Sequence, residues 1–247
     1  MIEFEFEFQY AEAKLPILRQ VGGGIPLGRC VVLCGGSGCG KSTLLRCING
    51  LIPQFYEGEL KGFCRLNGQD TAGLRIGEIG ELAASVFQDP RSQFFTVNSS
   101  NEVAFSLENH GLPQDEIRRR VDEAFRIIHL ERLKDRNIYA LSSGERQRIS
   151  IARVIMKDAP VIILDESTAN VDPENEKELM EAVAELTHDK TVIMIAHRLK
   201  TVRHADQVFV VDHGEIVQQG THDELVAVDG LYRRFVVERQ QAAGWKV

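Results

Sequence analysis

The first ten residues alternate between apolar and polar side chains. A glutamate or glutamine separates each apolar member from the next, the apolar members being Ile2, Phe4, Phe6, Phe8 and Tyr10. Because successive side chains of a strand point to opposite faces, this period of two predicts a strand with one buried face. The three glycines at 22–24 are predicted to form a flexible connection after that strand.

Continuous apolar runs indicate a second kind of strand. Residues 30–34, 161–164 and 191–195 are almost entirely apolar, which is typical of strands in a parallel sheet buried on both faces. Asp172 and Pro173, between the last two runs, predict the start of a helix. Apolar residues at helical spacing follow them, so this part of the chain is predicted to form a strand–helix–strand crossover.

The middle and the end of the chain have different patterns. Residues 89–150 contain a helical stripe and no convincing strand, and we interpret them as an inserted helical subdomain; the stripe consists of Ile117, Val121, Ala124 and Ile128. Residues 207–211 and 215–217 flank an Asp-His-Gly turn and predict a hairpin. A last helix is predicted over residues 231–239.

Composition narrows the class of protein. The length of 247 residues suits one large α/β domain with an inserted subdomain. The composition, 43% apolar and 26% charged, is ordinary for a globular protein and indicates neither disorder nor a fibrous fold. The net charge of −7 argues against an extended nucleic-acid groove. No apolar run approaches the roughly 18 residues needed to span a bilayer, and the acidic first ten residues are unlike a secretory signal. We therefore expect a cytosolic protein with no nucleic-acid partner.

A glycine-rich loop follows the first apolar run. Residues 35–42 fit the pattern GxxxxGK followed by serine, between a predicted strand and a predicted helix. In such a loop the backbone N–H groups approach phosphates, the lysine reaches the β- and γ-phosphates, and the hydroxyl ligates magnesium. The alternative is a chance glycine-rich turn. The predicted nucleotide-binding residues are Gly36, Ser37, Gly38, Cys39, Gly40, Lys41, Ser42 and Thr43.

Two adjacent acids end the second apolar run. In a P-loop enzyme, Asp165 has the place of the magnesium-orienting carboxylate, and Glu166 is the candidate that polarises the attacking water. Taken alone, such a pair is a weak signal, since strand ends commonly carry solvated carboxylates. The loop upstream makes the catalytic interpretation the stronger one.

Five cysteines, an odd number without zinc spacing, are predicted to be reduced thiols. Cys39 is the exception to watch, because a lysine and a helix N-terminus beside it both stabilise a thiolate.

The segment 141–148, Leu-Ser-Ser-Gly-Glu-Arg-Gln-Arg, resembles the signature of the ATP-binding-cassette (ABC) family. The resemblance implies an α/β P-loop NTPase fold. In that fold a RecA-like parallel sheet core, residues 1–88 and 151–247, carries an N-terminal antiparallel β subdomain. Residues 89–150 would form the inserted helical subdomain, within a single domain over 1–247.

The same resemblance implies roles for four further residues. Tyr10 matches the aromatic that stacks on adenine, and Gln88 matches the glutamine that senses magnesium and the γ-phosphate. Asp172 matches the loop carboxylate at the dimer seam, and His197 the histidine that holds the γ-phosphate. Each has a plain alternative: an inward-facing strand tyrosine, a loop amide, a helix cap and a surface histidine.

The resemblance also implies ATP and Mg²⁺ as cofactors and two kinds of partner. Two cassettes, as a homodimer or heterodimer, would face head to tail, so that the signature of one contacts the ATP of the other. An integral membrane subunit would hold the pair at the cytoplasmic face of the membrane. The residues that would contact ATP in this way are Ser142, Ser143, Gly144 and Glu145. The family usually has LSGGQ here, and we expect the added side chain of Ser143 and the negative charge of Glu145 to affect the efficiency of this half-site.

The two halves of the chain resemble different branches of the family. Residues 86–109 are similar to the energy-coupling-factor importers of vitamins and metal ions, whereas residues from 141 onward are similar to exporter-type domains. The chain is then an unusual natural member or a recombined or designed cassette. We predict a transport ATPase, with a soluble regulatory ATPase and a cassette without a transport partner as alternatives.

Overall fold

The residues that the structure describes form two sheets and eight α-helices. The computed structural model describes residues 1–87, 89–165, 189–195 and 202–244. The strands are β1 Ile2–Tyr10, β2 Leu18–Ile25, β3 Cys30–Cys34, β4 Gly58–Leu66, β5 Gln69–Asp70, β6 Ala83–Val86, β7 Val161–Leu164, β8 Thr191–Ile195, β9 Gln207–Asp212 and β10 Glu215–Gly220. The helices are α1 Lys41–Ile48, α2 Leu51–Gln54, α3 Ile76–Leu82, α4 Ser99–Asn109, α5 Gln114–Ile127, α6 Ser143–Met156, α7 His222–Ala227 and α8 Leu231–Gly244.

The larger sheet has the strand order β10-β9-β3-β8-β7-β6. Its strands from β9 to β6 are parallel, and β10 joins β9 as an antiparallel hairpin. Every residue of β7 and β8 is buried, which confirms the parallel sheet predicted from the apolar runs. The predicted hairpin is confirmed as well, and its turn residues His213 and Gly214 both have positive φ.

The smaller sheet has the order β2-β1-β4-β5 and is antiparallel. The apolar face of β1 is buried as predicted, with Phe4 at 3% and Phe8 at 0% exposure. The prediction for residues 22–24 is wrong, because these glycines pair with β1 as part of β2. A Cβ at Gly23 would lie 3.1 Å from the Phe4 ring, so the glycine leaves the space that the buried ring occupies.

The sequence pattern did not reveal β4 or β6. Strand β4 contains glycine and charged residues and has an exposed first half, and β6 is only four residues long. Both form because an existing strand pairs with them: β1 pairs with β4, and β7 pairs with β6. Their apolar patterns are too weak to predict them without that partner.

Helices α4, α5 and α6 surround a separate apolar cluster. All four members of the stripe predicted in this region are buried in it, namely Ile117, Val121, Ala124 and Ile128. Helix α6 runs to Met156, past residue 150, where we predicted the subdomain to end. The division of the chain into core and helical subdomain stays a prediction. The last helix, α8, extends to Gly244 rather than ending at residue 239.

The glycine-rich loop and Asp165 both follow parallel strands of the larger sheet. The loop leaves the carboxyl end of β3, and Asp165 follows β7, with β8 between these two strands. Carboxyl ends of parallel strands share one edge, where ligands bind in open α/β sheets. The predicted crossover helix, with Asp172 and Pro173, lies outside the described residues.

Candidate functional site

Residues 35–40 connect β3 to α1 as a loop whose backbone requires glycine. Gly35 has φ of +147°, and a Cβ there would lie 2.1 Å from the Val211 carbonyl oxygen. Gly40 caps α1 with φ of 107°. Gly36, Ser37 and Gly38 are exposed, and Cys39, which follows them, is buried. The loop therefore presents backbone to solvent next to a helix N-terminus, an arrangement suited to an anion.

Lys41 is 5% exposed and lies under this loop. Its ammonium donates to the Gly36 carbonyl at 2.6 Å and to the Gly35 carbonyl at 3.1 Å. The Cys39 sulfur lies 3.6 Å away and accepts from the same ammonium. The loop's own carbonyls thus hold the Lys41 ammonium against the loop.

The two predicted magnesium ligands that the structure describes lie together. Ser42 Oγ donates to Asp165 Oδ1 at 3.1 Å. Asp165 is 8% exposed, and its backbone N–H donates to the Val86 carbonyl at 2.9 Å, which fixes the end of β7 against β6. A hydroxyl and a carboxylate beside a phosphate-binding loop are the oxygen donors that Mg²⁺ uses in nucleotide sites, so this donor set fits that ion.

Tyr10 is half-buried and is tied to α1. Its hydroxyl lies 3.1 Å from Thr43 Oγ1 and accepts a hydrogen bond from Arg46 at 3.3 Å. The Arg46 guanidinium also lies over the Tyr56 ring, 4.5 Å from its centroid. Tyr10 is therefore more than an inward-facing strand residue, since it joins β1 to the helix that follows the loop. The sequence patterns did not point to Arg46 or Tyr56.

The segment 141–145 forms the start of α6. Ser142 is the N-cap, and its hydroxyl accepts from the Glu145 N–H at 3.2 Å while Glu145 Oε2 accepts from the Ser142 N–H at 2.9 Å. This reciprocal capping box stabilises the first turn. Ser143 is exposed and Gly144 is half-buried. The four signature residues therefore lie together on one helix N-terminus.

Arg132 completes the environment of Glu145. Its guanidinium donates to Glu145 Oε1 at 2.7 Å. Burial by itself raises the pKa of Glu145, but the hydrogen bonds from Ser142 and Arg132 outweigh burial and lower that pKa below its usual value. Arg132 was missed by sequence reasoning, since it precedes Glu145 by 13 positions.

Four predicted site residues lie outside the described residues, namely Gln88, Glu166, Asp172 and His197. Their roles stay predictions from the sequence. Within the described ranges, no group of three or more His, Cys, Asp or Glu side chains could hold a metal ion. Across the same ranges, no helix is long and apolar enough to cross a membrane.

All five cysteines are free thiols in the structure. Cys39 is only 7% exposed, although Lys41 lies beside its sulfur. Cys34 lies directly before the loop, and burial raises the pKa of its thiol to about 12.

The fold and the loop with its Ser42–Asp165 pair define a P-loop NTPase. Comparison with known proteins identifies the family: residues 18–169 match the family model described as ABC transporter. The chain therefore belongs to the ABC transporter family as one of its ATP-binding domains, a family of ATPases coupled to transport.

Sequence relatives agree with this assignment. A Treponema denticola protein named as a candidate ABC transporter ATP-binding protein is 37% identical over 226 residues, which is 91% of this chain and 46% of that protein. A Streptomyces coelicolor protein with the same kind of name is 38% identical over 250 residues, 99% of this chain and 44% of the relative. The chain spans about half the length of the curated relatives it matches.

Two solved structures have the same fold. CbiO1 of Clostridium perfringens, part of the ABC transporter complex CbiONQ, superposes with a TM-score of 0.81 at 31% identity, covering 96% of this chain and 93% of that one. A bacterial Atm1-family ABC exporter with ATP bound gives a TM-score of 0.84 at 26% identity, covering 97% of this chain and 42% of the exporter chain.

Proposed function

We propose that this chain binds and hydrolyses ATP to power an ABC transporter. The observation that carries the proposal is the contact of Ser42 with Asp165, 3.1 Å long, beside the buried ammonium of Lys41. A hydroxyl and a carboxylate meet at the edge of a parallel sheet, and the preceding loop holds a buried cation and has exposed backbone. Phosphoryl transfer needs this combination of positioning and electrostatic stabilisation.

The described residues divide the work of holding the nucleotide. The backbone of Gly36, Ser37 and Gly38 binds phosphate oxygens, and Lys41 leaves the loop carbonyls for the β- and γ-phosphates. Ser42 and Asp165 hold Mg²⁺, which when bound supplies Lewis-acid stabilisation of phosphate charge. Tyr10 offers one ring face to the adenine while its hydroxyl stays on α1. Three residues outside the described part of the chain have roles that the family resemblance implies: Glu166 orients the attacking water, Gln88 senses Mg²⁺ and the γ-phosphate, and His197 holds the γ-phosphate.

A second cassette completes the site. Ser142, Ser143, Gly144 and Glu145 are grouped on the N-terminus of α6, and the helix dipole makes that end attractive to the phosphates of ATP bound to a partner cassette. Asp172 then lies at the seam between the two. A homodimer and a heterodimer both satisfy this arrangement.

The test is ATP-dependent dimerisation of the Glu166→Gln variant, measured by light scattering with MgATP and with ATP plus EDTA. We expect dimers with MgATP, very slow turnover, and loss of dimers when Asp165→Asn is added. Arg119→Gln, a change on an exposed helix face, is the control. Near-normal turnover of Glu166→Gln, or equal dimerisation with and without Mg²⁺, would contradict the proposal.

We further propose that the transporter is an energy-coupling-factor importer of a vitamin or metal ion. The likeness to CbiO1 supports this, as does the sequence of residues 86–109. A groove beside α3 and α4 is lined by Phe87, Phe95, Phe105 and His110. Phe95 is 73% exposed and its ring stacks on that of Phe105 at 4.9 Å, an apolar surface suited to a segment of an integral membrane partner.

An exporter is the second candidate, because the likeness to the Atm1-family exporter extends over 97% of this chain. Co-purification separates the two. Retention by an energy-coupling-factor membrane subunit, reduced by Phe95→Ser, supports import. Retention by an exporter membrane domain alone would reverse the assignment. In either case we propose that the chain binds peripherally at the cytoplasmic face of the membrane.

A further inference from the structure

Glu145 adds a negative charge to a helix N-terminus that is proposed to attract the negatively charged phosphates of ATP. In the arrangement proposed above, on which this inference rests, the first turn of α6 faces the phosphates of ATP held by a partner cassette. A carboxylate free to reach those phosphates would repel them and would offset the positive potential of the helix N-terminus that attracts them. The position of the Glu145 carboxylate therefore bears directly on how well this half-site works.

The structure gives both carboxylate oxygens of Glu145 a partner on the chain itself. Oε2 accepts from the backbone N–H of Ser142 at 2.9 Å, and Oε1 accepts from Arg132 at 2.7 Å. The side chain of Glu145 is only 15% exposed, although it belongs to the first turn of a helix. The carboxylate is thus folded back toward the residue before the helix, and an arginine neutralises it there.

Arg132 is held in place by its neighbours in the sequence. It lies in the short 3-10 turn Glu131–Leu133 between α5 and α6. Leu130 at 0% and Leu133 at 5% exposure anchor that turn in the apolar cluster of the helical region. The Arg132 side chain itself is 69% exposed. Its buried neighbours fix the position of the turn, and the side chain reaches from the turn to Glu145.

We propose that Arg132 is a positioning residue for the nucleotide held by the partner cassette. It neutralises Glu145 and keeps the carboxylate on the Ser142 N–H, so that the exposed Ser142 and Ser143 and the α6 N-terminus meet the phosphates without an opposing charge. The arginine thereby compensates for the glutamate that stands where the family usually has glutamine.

The test compares dimerisation in two backgrounds. In Glu166→Gln protein, the ATP concentration for half-maximal dimerisation is measured by light scattering for Arg132→Gln, with and without Glu145→Gln. We expect Arg132→Gln alone to raise that concentration on the order of tenfold at low salt, because one uncompensated charge then faces the phosphates. The shift shrinks as salt rises from about 0.05 to about 0.5 M. With Glu145→Gln present, removing Arg132 changes the concentration less than about twofold, since no charge remains to be neutralised.

Two variants control for charge and for folding. Arg119→Gln removes an arginine of similar exposure, 63%, and is expected to dimerise like the parent. Arg132→Lys keeps the charge and is expected to retain most of the parent affinity. Thermal unfolding of each variant shows whether the helical region remains folded.

Equal shifts in the two Glu145 backgrounds would overturn the inference, because Arg132 would then act on the nucleotide or the fold without Glu145. The absence of any shift in Arg132→Gln would overturn it as well. If the parent binds ATP but never dimerises, the proposed function fails and the inference falls with it. That outcome is recognisable because it occurs before any change at Arg132.

Discussion

Glu102 is a buried carboxylate that holds three parts of the helical region together. Its side chain is 0% exposed and pairs with Arg153 of α6 at 2.7 Å. Its other oxygen accepts the backbone N–H groups of Phe95 and Thr96 at 3.0 and 2.9 Å. Arg153 in turn donates to both the carbonyl and the side-chain oxygen of Gln93. The pair therefore ties residues 93–96 to α4 and α6.

Replacing Glu102 with glutamine keeps the shape and removes the charge. The new NH₂ group faces either Arg153 or two backbone N–H groups, all of them donors, so one buried donor set loses its acceptor. Breaking a buried pair by changing one partner costs about 3–5 kcal/mol. For a chain of this size each kcal/mol lowers Tm by roughly 2–4 °C, so we expect Tm to fall by about 6–20 °C.

The assay is urea unfolding followed by circular dichroism, with calorimetry for Tm. Glu116→Gln is the matched control, since Glu116 accepts from Arg119 and Arg120 on the surface of α5 and the chemical change is the same. We expect the control to leave the unfolding midpoint almost unchanged. A loss below about 1 kcal/mol for Glu102→Gln, or equal losses for both variants, would refute the reasoning.

Three further predictions concern the loop and the groove. Gly35→Ala forces a Cβ to 2.1 Å from a β9 carbonyl, and we expect it to lower Tm and abolish ATP binding. The control Gly24→Ala, whose Cβ would have nothing within 4 Å, should leave Tm and ATP binding unchanged. Equal Tm values for the two variants would contradict this. Hydrogen bonds to the Ser106 carbonyl and to Glu81 raise the pKa of His110. The contribution of His110 to stability is therefore present below its unfolded pKa and is lost as pH rises through the raised value. Glu81→Gln should flatten this part of a Tm-against-pH curve, and an unchanged curve would refute the assignment. Alkylation of Cys39 should block ATP binding measured by fluorescent-nucleotide titration, and full activity after complete alkylation would contradict it.

Local motifs predicted the nucleotide loop, and one topological rule explains its contact with Asp165. The glycine pattern is local in the sequence, and both Gly35 and Gly40 have the positive φ that glycine adopts readily. Ser42 and Asp165 lie 123 positions apart, yet their meeting follows from placing both after parallel strands whose carboxyl ends share an edge. Sequence reasoning succeeds where a feature depends on chain direction or on a short motif.

Features that depend on pairing across the chain were not accessible in this way. The three glycines in β2 look flexible until β1 pairs with them and the Phe4 ring needs the space at Gly23. Strand β4 has a weak apolar pattern because its first half is exposed. Arg46, which joins Tyr10 to the Tyr56 ring, is one of many arginines until the fold brings these three side chains together.

The altered signature shows how the structure changes an argument made from sequence. Alone, a glutamate at position 145 adds a charge that repels phosphate, and a serine at 143 adds a side chain where backbone should approach. In the structure the Ser143 side chain is exposed at the first turn of α6, and Glu145 caps that turn while Arg132 neutralises it. An acid at this place in a helix also favours the dipole when its carboxylate binds the helix N-terminus. The charge that alone would repel phosphate therefore stabilises the helix that presents it, and Arg132 pairs with that charge on the chain itself.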